Sequence, residues 1–342
     1  MICDQWLGSN GYAGMKALRR AGWAVRVIPE WEFIPVLWRS RSMRGLARGI
    51  RSAAVREFTQ EVVLQAERLM PEFLLVFKGT FVQAELLRSL KQRGVRTYCF
   101  FPDVSFRAHG PHIPDALRQY DWVFTTKSFG LRDLKDQLGV TNARLICHAY
   151  DRDLHRPVEL SAFDLARYEC DVSFIGTWSP KKEQLLAELR RRRPALRLRV
   201  WGEQWHRSRS PVLSPCIGGH EVVGEEYVRA LQASTINLAI LSERRAGSSD
   251  GDQVTSRTFH IPACGAFMLH ERSDEVLGLF KEGESIACYG GLDELVAQID
   301  LFLADELRRR AISGAGQALV SSAHSWDHRI REILAHIEIS GQ

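Results

Sequence analysis

The segment Asp252-Gln-Val-Thr-Ser-Arg-Thr-Phe-His-Ile-Pro-Ala-Cys-Gly265 gathers residue types suited to chemistry on a phosphorylated ligand. A short polar loop runs into a small-residue turn of helix, and the apolar run Ala266-Phe-Met-Leu269 follows. A loop that opens a helix, here near Thr255, offers unpaired backbone N–H groups to an anion. Arg257 adds a guanidinium that can grip phosphate bidentately. Asp252 and His260 can each hydrogen-bond a sugar hydroxyl. Together these suit a nucleoside diphosphate with its ribose held beside it.

Other candidates lie where predicted strands end. Trp178-Ser-Pro-Lys-Lys182 sits between a strand ending at Gly176 and a helix. A lysine at a helix amino end is unfavourable unless an anion sits there, so Lys182 is either a phosphate partner or a solvated side chain. Trp201-Gly202 closes the next strand, where an indole could stack on a base or simply pack at the rim. In the first half, Gly8-Ser-Asn10-Gly11-Tyr-Ala-Gly14 has glycines at every third position. That is not G-x-G-x-x-G, so dinucleotide binding is disfavoured and close approach of an acceptor to the backbone is the better reading. Lys78 opens a loop after an apolar run. Asp103 and then His109 and His112 follow another. Asp103 could deprotonate an acceptor hydroxyl, or merely cap the next segment.

No G-x-S-x-G elbow, H-E-x-x-H helix or Walker A loop occurs, which removes the main support for hydrolase, zinc-protease and P-loop chemistry. Asp151-Arg-Asp153 falls in a predicted linker and reads as structural, so no metal site is expected. The cysteines at 3, 99, 147, 170, 216, 264 and 288 contain no C-x-x-C pair. They read as reduced, mostly buried thiols of a cytoplasmic protein.

These loops need elements to hold them. Short strands are predicted at 1–6 and 24–28, with a helix over 12–21 between them. A helical pattern over 42–70 is stopped by Pro71. Apolar runs at 73–77, 95–101, 120–125 and 144–147 read as buried parallel strands, with a helix over 81–93. Residues 151–168 have no strong period. The alternation then restarts, with strands at 171–176, 196–201, 235–241, 266–269 and 284–288. Helices are predicted at 181–192, 225–233, 255–264, 305–321 and 326–337. The implied organisation is a first domain over 1–155, a linker over 156–168, a second domain over 169–322, and a helix over 323–342 returning to the first. Both domains are α/β, doubly wound and Rossmann-like, and ligands in such sheets bind beyond the carboxyl ends of the strands.

The 342 residues carry 46 Lys and Arg against 41 Asp and Glu. The net charge of +5 is too small to imply nucleic acid. No apolar stretch approaches the roughly 18 residues that span a bilayer. Arg41, Arg44, Arg48 and Arg51 share one helix face, with Val55 on the same side. Met43, Leu46, Ile50 and Ala54 share the other. That pattern permits peripheral contact with anionic lipid, although a solvated face over a core stripe is favoured.

Several motifs, taken in order, resemble the CgeB-like (spore maturation protein B-like) glycosyltransferases. They are Thr255 through Gly265, Phe174-Ile-Gly-Thr-Trp-Ser-Pro-Lys-Lys182, Phe280-Lys-Glu-Gly-Glu284 and Tyr289. In the first half they are Gly8-Ser-Asn-Gly-Tyr12, Phe77-Lys-Gly79, Phe101-Pro-Asp103 and Thr125-Thr-Lys-Ser-Phe129. The resemblance implies a GT-B fold, two facing Rossmann-like domains with a cleft between them and a nucleotide-sugar donor on the second. It also implies similarity to the group 1 glycosyltransferases, whose E-x7-E pattern falls here on Asp252 and His260. Lys182 falls where that group has a diphosphate-binding lysine.

The expectation is a metal-independent sugar transferase of polysaccharide or glycoconjugate biosynthesis. It needs no cofactor beyond its nucleotide-diphosphate-sugar co-substrate, and its acceptor is a glycan, lipid, protein or small molecule. Arg257 and Asp103 would be catalytic. Gly176, Lys182, Trp201, Gly202, Asp252, Thr255, His260 and Gly265 would bind the donor. Gly8, Asn10, Gly11, Lys78 and His109 would face the acceptor. Histidine at 260 leaves open an inactive binding or structural protein of this fold. A nucleotide-sugar epimerase is a further alternative.

Overall fold

The structure is a computed structural model that describes residues 1–33 and 47–340. The chain divides into two compact units. The first comprises Met1–Cys147, Arg244–Asp250 and the stretch from Ile330 onward; the second comprises His148–Glu243 and Gly251–Arg329.

In the first unit β1 (Phe73–Phe77), β2 (Arg96–Phe101), β3 (Trp122–Thr125) and β4 (Ala143–Leu145) form a parallel sheet in that order. Ile2 bridges both Val76 and Ile28, extending the order to Ile28, Ile2, β1, β2, β3, β4. The strands predicted at 1–6 and 24–28 therefore shrink to single paired residues. The sheet interior is apolar on both faces, and the chain leaves it where Asp4, Gln5 and Trp6 become exposed. The helix α1 (Asn10–Arg20) starts where the Ser9 hydroxyl accepts the Tyr12 N–H at 3.0 Å, a standard cap. A side chain at Gly11 would collide with Cys3, and one at Gly14 would meet Phe77 at 2.7 Å. These glycines let the helix lie close on the sheet.

The helix α2 (Ala47–Leu69) buries Ala54, Phe58, Val62 and Ala66, a four-residue repeat facing the core. Val55, expected on the basic side, is also buried. Arg41, Arg44, Met43 and Leu46 lie outside the described residues, as do the side chains of Arg48 and Ile50. The helices α3 (Ala84–Gln92), α4 (Ile113–Leu117) and α5 (Ser128–Leu138) complete the unit's crossovers.

The second unit has the parallel sheet order β6-β5-β7-β8-β9. Its strands are β5 (Cys170–Ile175), β6 (Leu198–Trp201), β7 (Ser234–Ala239), β8 (Met268–Glu271) and β9 (Ala287–Tyr289). The order reverses between β5 and β7, so the ligand crevice of a doubly wound sheet falls beyond their carboxyl ends. The connecting helices are α7 (Pro180–Arg192), α8 (Gly224–Gln232), α9 (Arg257–Ala263), α10 (Asp274–Leu279) and α11 (Leu292–Ala304). They are followed by α12 (Glu306–Ala323) and α13 (Trp326–Ser340).

Residues read as linker are more ordered than their sequence suggested. The helix α6 (Ala162–Tyr168) opens with a reciprocal capping box between Ser161 and Asp164, and this stretch counts with the second unit. Residues 244–250 count with the first unit. There the Ser105 hydroxyl donates to the Ala246 carbonyl at 2.7 Å, and Ser249 N–H donates to Asp133 at 2.8 Å.

One buried polar knot pins the switch point. The Asn237 amide donates to the carbonyls of Leu231 (3.0 Å) and Phe267 (3.2 Å) and accepts from the Ser173 hydroxyl at 2.9 Å. It ties β5 and β7 to the chain entering β8. Asn237→Leu keeps the volume but leaves these groups unpaired, which costs about 2–4 kcal/mol. Urea unfolding should show that loss, and a change below about 0.5 kcal/mol would refute the assignment.

Candidate functional site

In the second unit the carboxyl ends of β5 and β7 hold two cations over one aromatic ring. The Phe174 ring lies 5.4 Å from the Arg257 guanidinium and 5.9 Å from the Lys182 ammonium. Arg257 donates to the Ile240 carbonyl at 3.0 Å. Gly176 makes room for it, since a Cβ there would stand 2.8 Å from Nη1. Lys182 donates to the Thr177 carbonyl at 3.2 Å and lies 3.4 Å from the Ser242 hydroxyl. Its neighbour Lys181 is engaged elsewhere, by the Glu271 carboxylate at 2.6 and 2.9 Å.

Arg257 has no salt bridge among the described residues, and its Nε is buried without a partner. The buried hydroxyls of Tyr227, Tyr289 and Thr255 also lack partners. Burial depresses the proton affinity of Arg257, and Tyr227, Asp252 and Tyr289 act on it in the opposite sense. A positive group shielded from water beside unsatisfied hydroxyls is costly unless an anion completes it. Neither Tyr227 nor the ring under Arg257 was assigned a role from sequence. Phe174 opens the motif that runs to Lys182, but an apolar strand residue suggests packing alone, and Tyr227 lies in no motif.

The loop before α9 is set by a polar relay. Thr255 N–H donates to the Thr258 hydroxyl at 3.1 Å, and that hydroxyl pairs with His270 Nε2 at 2.8 Å. His270 Nδ1 meets the Glu271 carbonyl at 2.6 Å, so Nδ1 carries the proton and Nε2 accepts. The Thr255 N–H, one of the groups expected to face an anion, is thus already taken. Asp252 is buried, and its N–H donates to the Ser242 carbonyl at 2.8 Å across the loop.

In the first unit Asp103 follows β2, and His109 Nε2 lies 2.9 Å from its carboxylate. Lys78 Nζ lies 3.6 Å from it, with the Lys78 backbone in the left-handed region at φ 67°. The structure brings together these three residues, which are spread along the sequence. Burial alone would raise the Asp103 carboxyl, but the His109 hydrogen bond and the Lys78 charge outweigh it and hold it below the usual carboxylate range. Glu30 reaches the loop after β1, accepting N–H bonds from Thr80 at 3.0 Å and Phe81 at 2.6 Å. Burial raises Glu30 to about 7 against those two bonds.

Two cavities lie elsewhere. One of about 420 Å³ sits beyond β6 in the second unit, lined by Gly202, Gln204, Trp205, Ser210 and Glu221 among others. One of about 540 Å³ in the first unit is lined by Trp23, Leu69, Phe73 and Val95. It is at the amino ends of β1 and β2, the wrong end for catalysis in such a sheet.

Residues 181–335 match the family described as "Glycosyl transferase-like". No curated protein gives a sequence match. Among solved structures, HepE of Anabaena in complex with UDP-glucose is similar over 98% of both chains, at 12% identity and TM-score 0.67. A glycosyltransferase from Rickettsia africae is similar over 97% of this chain and 94% of its own, at 9% identity and TM-score 0.65. A putative UDP-N-acetylglucosamine 2-epimerase from Listeria monocytogenes is similar over 99% and 95%, at 10% identity and TM-score 0.56. The fold is GT-B. Among the described residues no helix is long and apolar enough to cross a membrane.

Within this GT-B frame some expected site residues serve packing and others line loops at the strand ends. Trp201 borders the cavity beyond β6 but is only 1% exposed and packs edge-on to Tyr168, so it is a packed rim residue rather than an open stacking face. Gly202, at φ 126°, lets the loops after β5 and β6 touch; a side chain there would strike the Gly176 carbonyl. Gly265 ends α9 in the left-handed region at φ 70° and is a turn residue rather than a ligand contact. Gly11 serves packing, as described above. Gly8, at φ 104°, lies in the turn before α1, and Asn10 is the first residue of that helix. His260 is buried, stacks on His155 at 3.9 Å, and its Nε2 bonds the Ala149 carbonyl at 3.1 Å. It is built into the interior, not presented to a ribose.

Burial pushes both His260 and His270 down to about 4, against one carbonyl hydrogen bond each and with a contribution from Arg257. A depressed folded-state pKa stabilises above the unfolded value near 6.5 and is lost as pH falls towards 4. Each ring should therefore contribute a loss on the order of 2 kcal/mol between pH 6.5 and 5. Urea midpoints of the wild type and His270→Asn across that window measure it. Equal slopes for the two proteins would show that His270 is not held neutral.

Proposed function

We propose that this chain is a glycosyltransferase that moves a sugar from a nucleoside-diphosphate sugar to an acceptor hydroxyl, without a metal. One observation carries the reading: Arg257 lies partly buried at the switch point, without an acid partner and among orphaned hydroxyls. A diphosphate there would meet the guanidinium, the Lys182 ammonium and the hydroxyls of Tyr227, Tyr289 and Thr255. These groups would stabilise the charge that develops as the bond from the sugar's anomeric carbon to the diphosphate oxygen breaks. The cavity beyond β6 has room for the base, and Asp252 is the group for ribose or sugar hydroxyls. The family match over residues 181–335 supports the same reading.

The first unit serves the acceptor. A carboxylate held below its usual range is a poor base but a good orienting group. Asp103 therefore fixes the His109 ring, and His109 takes the acceptor proton as the new glycosidic bond forms. This reverses the sequence-based preference for Asp103 as the base. The Listeria epimerase shares the fold, so a donor-only reaction is the second reading. An epimer formed without acceptor would establish it.

Arg257→Ala should lower turnover by roughly 100- to 1000-fold with the fold intact. Gly176→Ala should weaken binding of UDP-, GDP- and dTDP-sugars by displacing the guanidinium, read by calorimetry. Unchanged binding and turnover in both variants would remove the site. His109→Ala should cut kcat by about 100-fold or more, while donor affinity holds.

A further inference from the structure

Two exposed indoles follow Ile2 and Ile28, the two single-residue pairings on one side of the first unit's sheet. Trp6 is 52% and Trp31 is 44% exposed. They follow Ile2 and Ile28, which pair in parallel, so both leave the sheet at its carboxyl end. Neither sits on a loose tail. The Trp6 carbonyl accepts the Ser9 N–H at 3.1 Å, and the Ser9 hydroxyl bonds the Asp4 carbonyl at 2.9 Å. Trp31 lies in a helical turn, Glu30–Phe33, anchored by Phe33 packing edge-on to Phe58 at 5.5 Å. Holding two large rings in water on anchored turns forfeits the stabilisation that burial would bring, and an unburied aromatic pair on a fixed scaffold marks a recognition surface.

Their neighbours are the acceptor-side groups. Glu30, adjacent to Trp31, holds the loop Thr80–Phe81 that follows Lys78, and Lys78 pairs with Asp103. Asp4, two residues before Trp6, interacts electrostatically with both Glu30 and Lys78. Asp4 and Glu32 thus place exposed carboxylates beside the two indoles. An anionic lipid surface would be repelled by that rim. A neutral sugar would be welcomed, because the C–H face of a pyranose is apolar and its hydroxyls donate to carboxylates.

We propose that Trp6 and Trp31 form a stacking platform for a neutral glycan chain, which makes the acceptor an oligosaccharide or polysaccharide end. This rests on the transferase reading and names its acceptor class.

The test uses the full-length protein, with Trp6→Ala, Trp31→Ala and the double variant. Neutral malto-, cello- and chito-oligosaccharides are titrated by calorimetry. UDP-, GDP- and dTDP-sugars are titrated as a separate arm, and vesicles of phosphatidylcholine with phosphatidylglycerol as a third. The wild type should bind at least one neutral oligosaccharide series more tightly as the chain lengthens. Each single variant should lose roughly tenfold in that affinity and the double variant more, with donor binding and melting temperature unchanged. No oligosaccharide binding, or binding equal in all variants, overturns the platform. Vesicle binding that vanishes in the double variant overturns it in favour of a membrane surface. Failure of the wild type to bind any nucleotide sugar would instead strike the transferase reading, so the two failures are distinct.

Discussion

The second unit depends on a side chain that is missing. Because residue 176 is glycine, a guanidinium can lie over the Phe174 ring and against the end of β5. Ring and cation attract one another through the quadrupole of the aromatic face, and the Ile240 carbonyl fixes one edge of the fork at the end of β7. The guanidinium therefore spans the two strands between which the sheet order reverses. Remove the space, and the cation must leave the place where the topology opens a crevice.

That placement is held from behind by neutral polar groups. The relay from Thr255 through Thr258 to His270 ends on the backbone of Glu271, whose carboxylate binds Lys181 and the Leu241 N–H. Every member points one way only if His270 is uncharged. Burial ensures this, because a charged imidazole would donate from both nitrogens and break the sequence of bonds. Of two adjacent lysines, Lys181 is therefore bound to an acid, while Lys182 shares the Phe174 ring with Arg257. Order in the loop before α9 thus comes from the relay. The dipole of α9 adds little, since that helix is only seven residues long.

Much of the architecture was readable in the chain. The all-apolar runs at Phe73–Phe77 and Cys170–Ile175 could only be strands covered on both faces, and Asp103, Lys182 and Arg257 stood at strand or helix ends where ligands bind. What escaped was whatever depends on packing between distant segments. The strands expected around Ile2 and Ile28 shrank to those single paired residues. Trp201 looked like a stacking ring because periodicity does not say which strand-end aromatics are covered. His260 looked like a hydroxyl partner because its register matched a glutamate, yet its ring is spent on Ala149 and His155. The stretch 244–250 reads as a polar loop of the second unit but packs with the first, through hydrogen bonds to Ser105 and Asp133 that no local pattern encodes.

The two sheets share one winding and differ in chemistry. Both place the chain's first strand inside its second, so each has its reversal beside that first strand. At the second unit's reversal stand Arg257 and Lys182. At the first unit's stands Asp4, with Asp103 nearby and Lys78 as counter-charge. A basic end suits a diphosphate, and an acidic end suits hydroxyls that must donate or give up a proton. A net charge of +5 conceals this because it is a sum, and the opposing groups cancel within it. Recognition depends on how charge is distributed around each crevice, since fields at a few ångströms outweigh the distant remainder. The same backbone topology therefore carries two ends of different charge, with a handful of side chains at each reversal setting the sign.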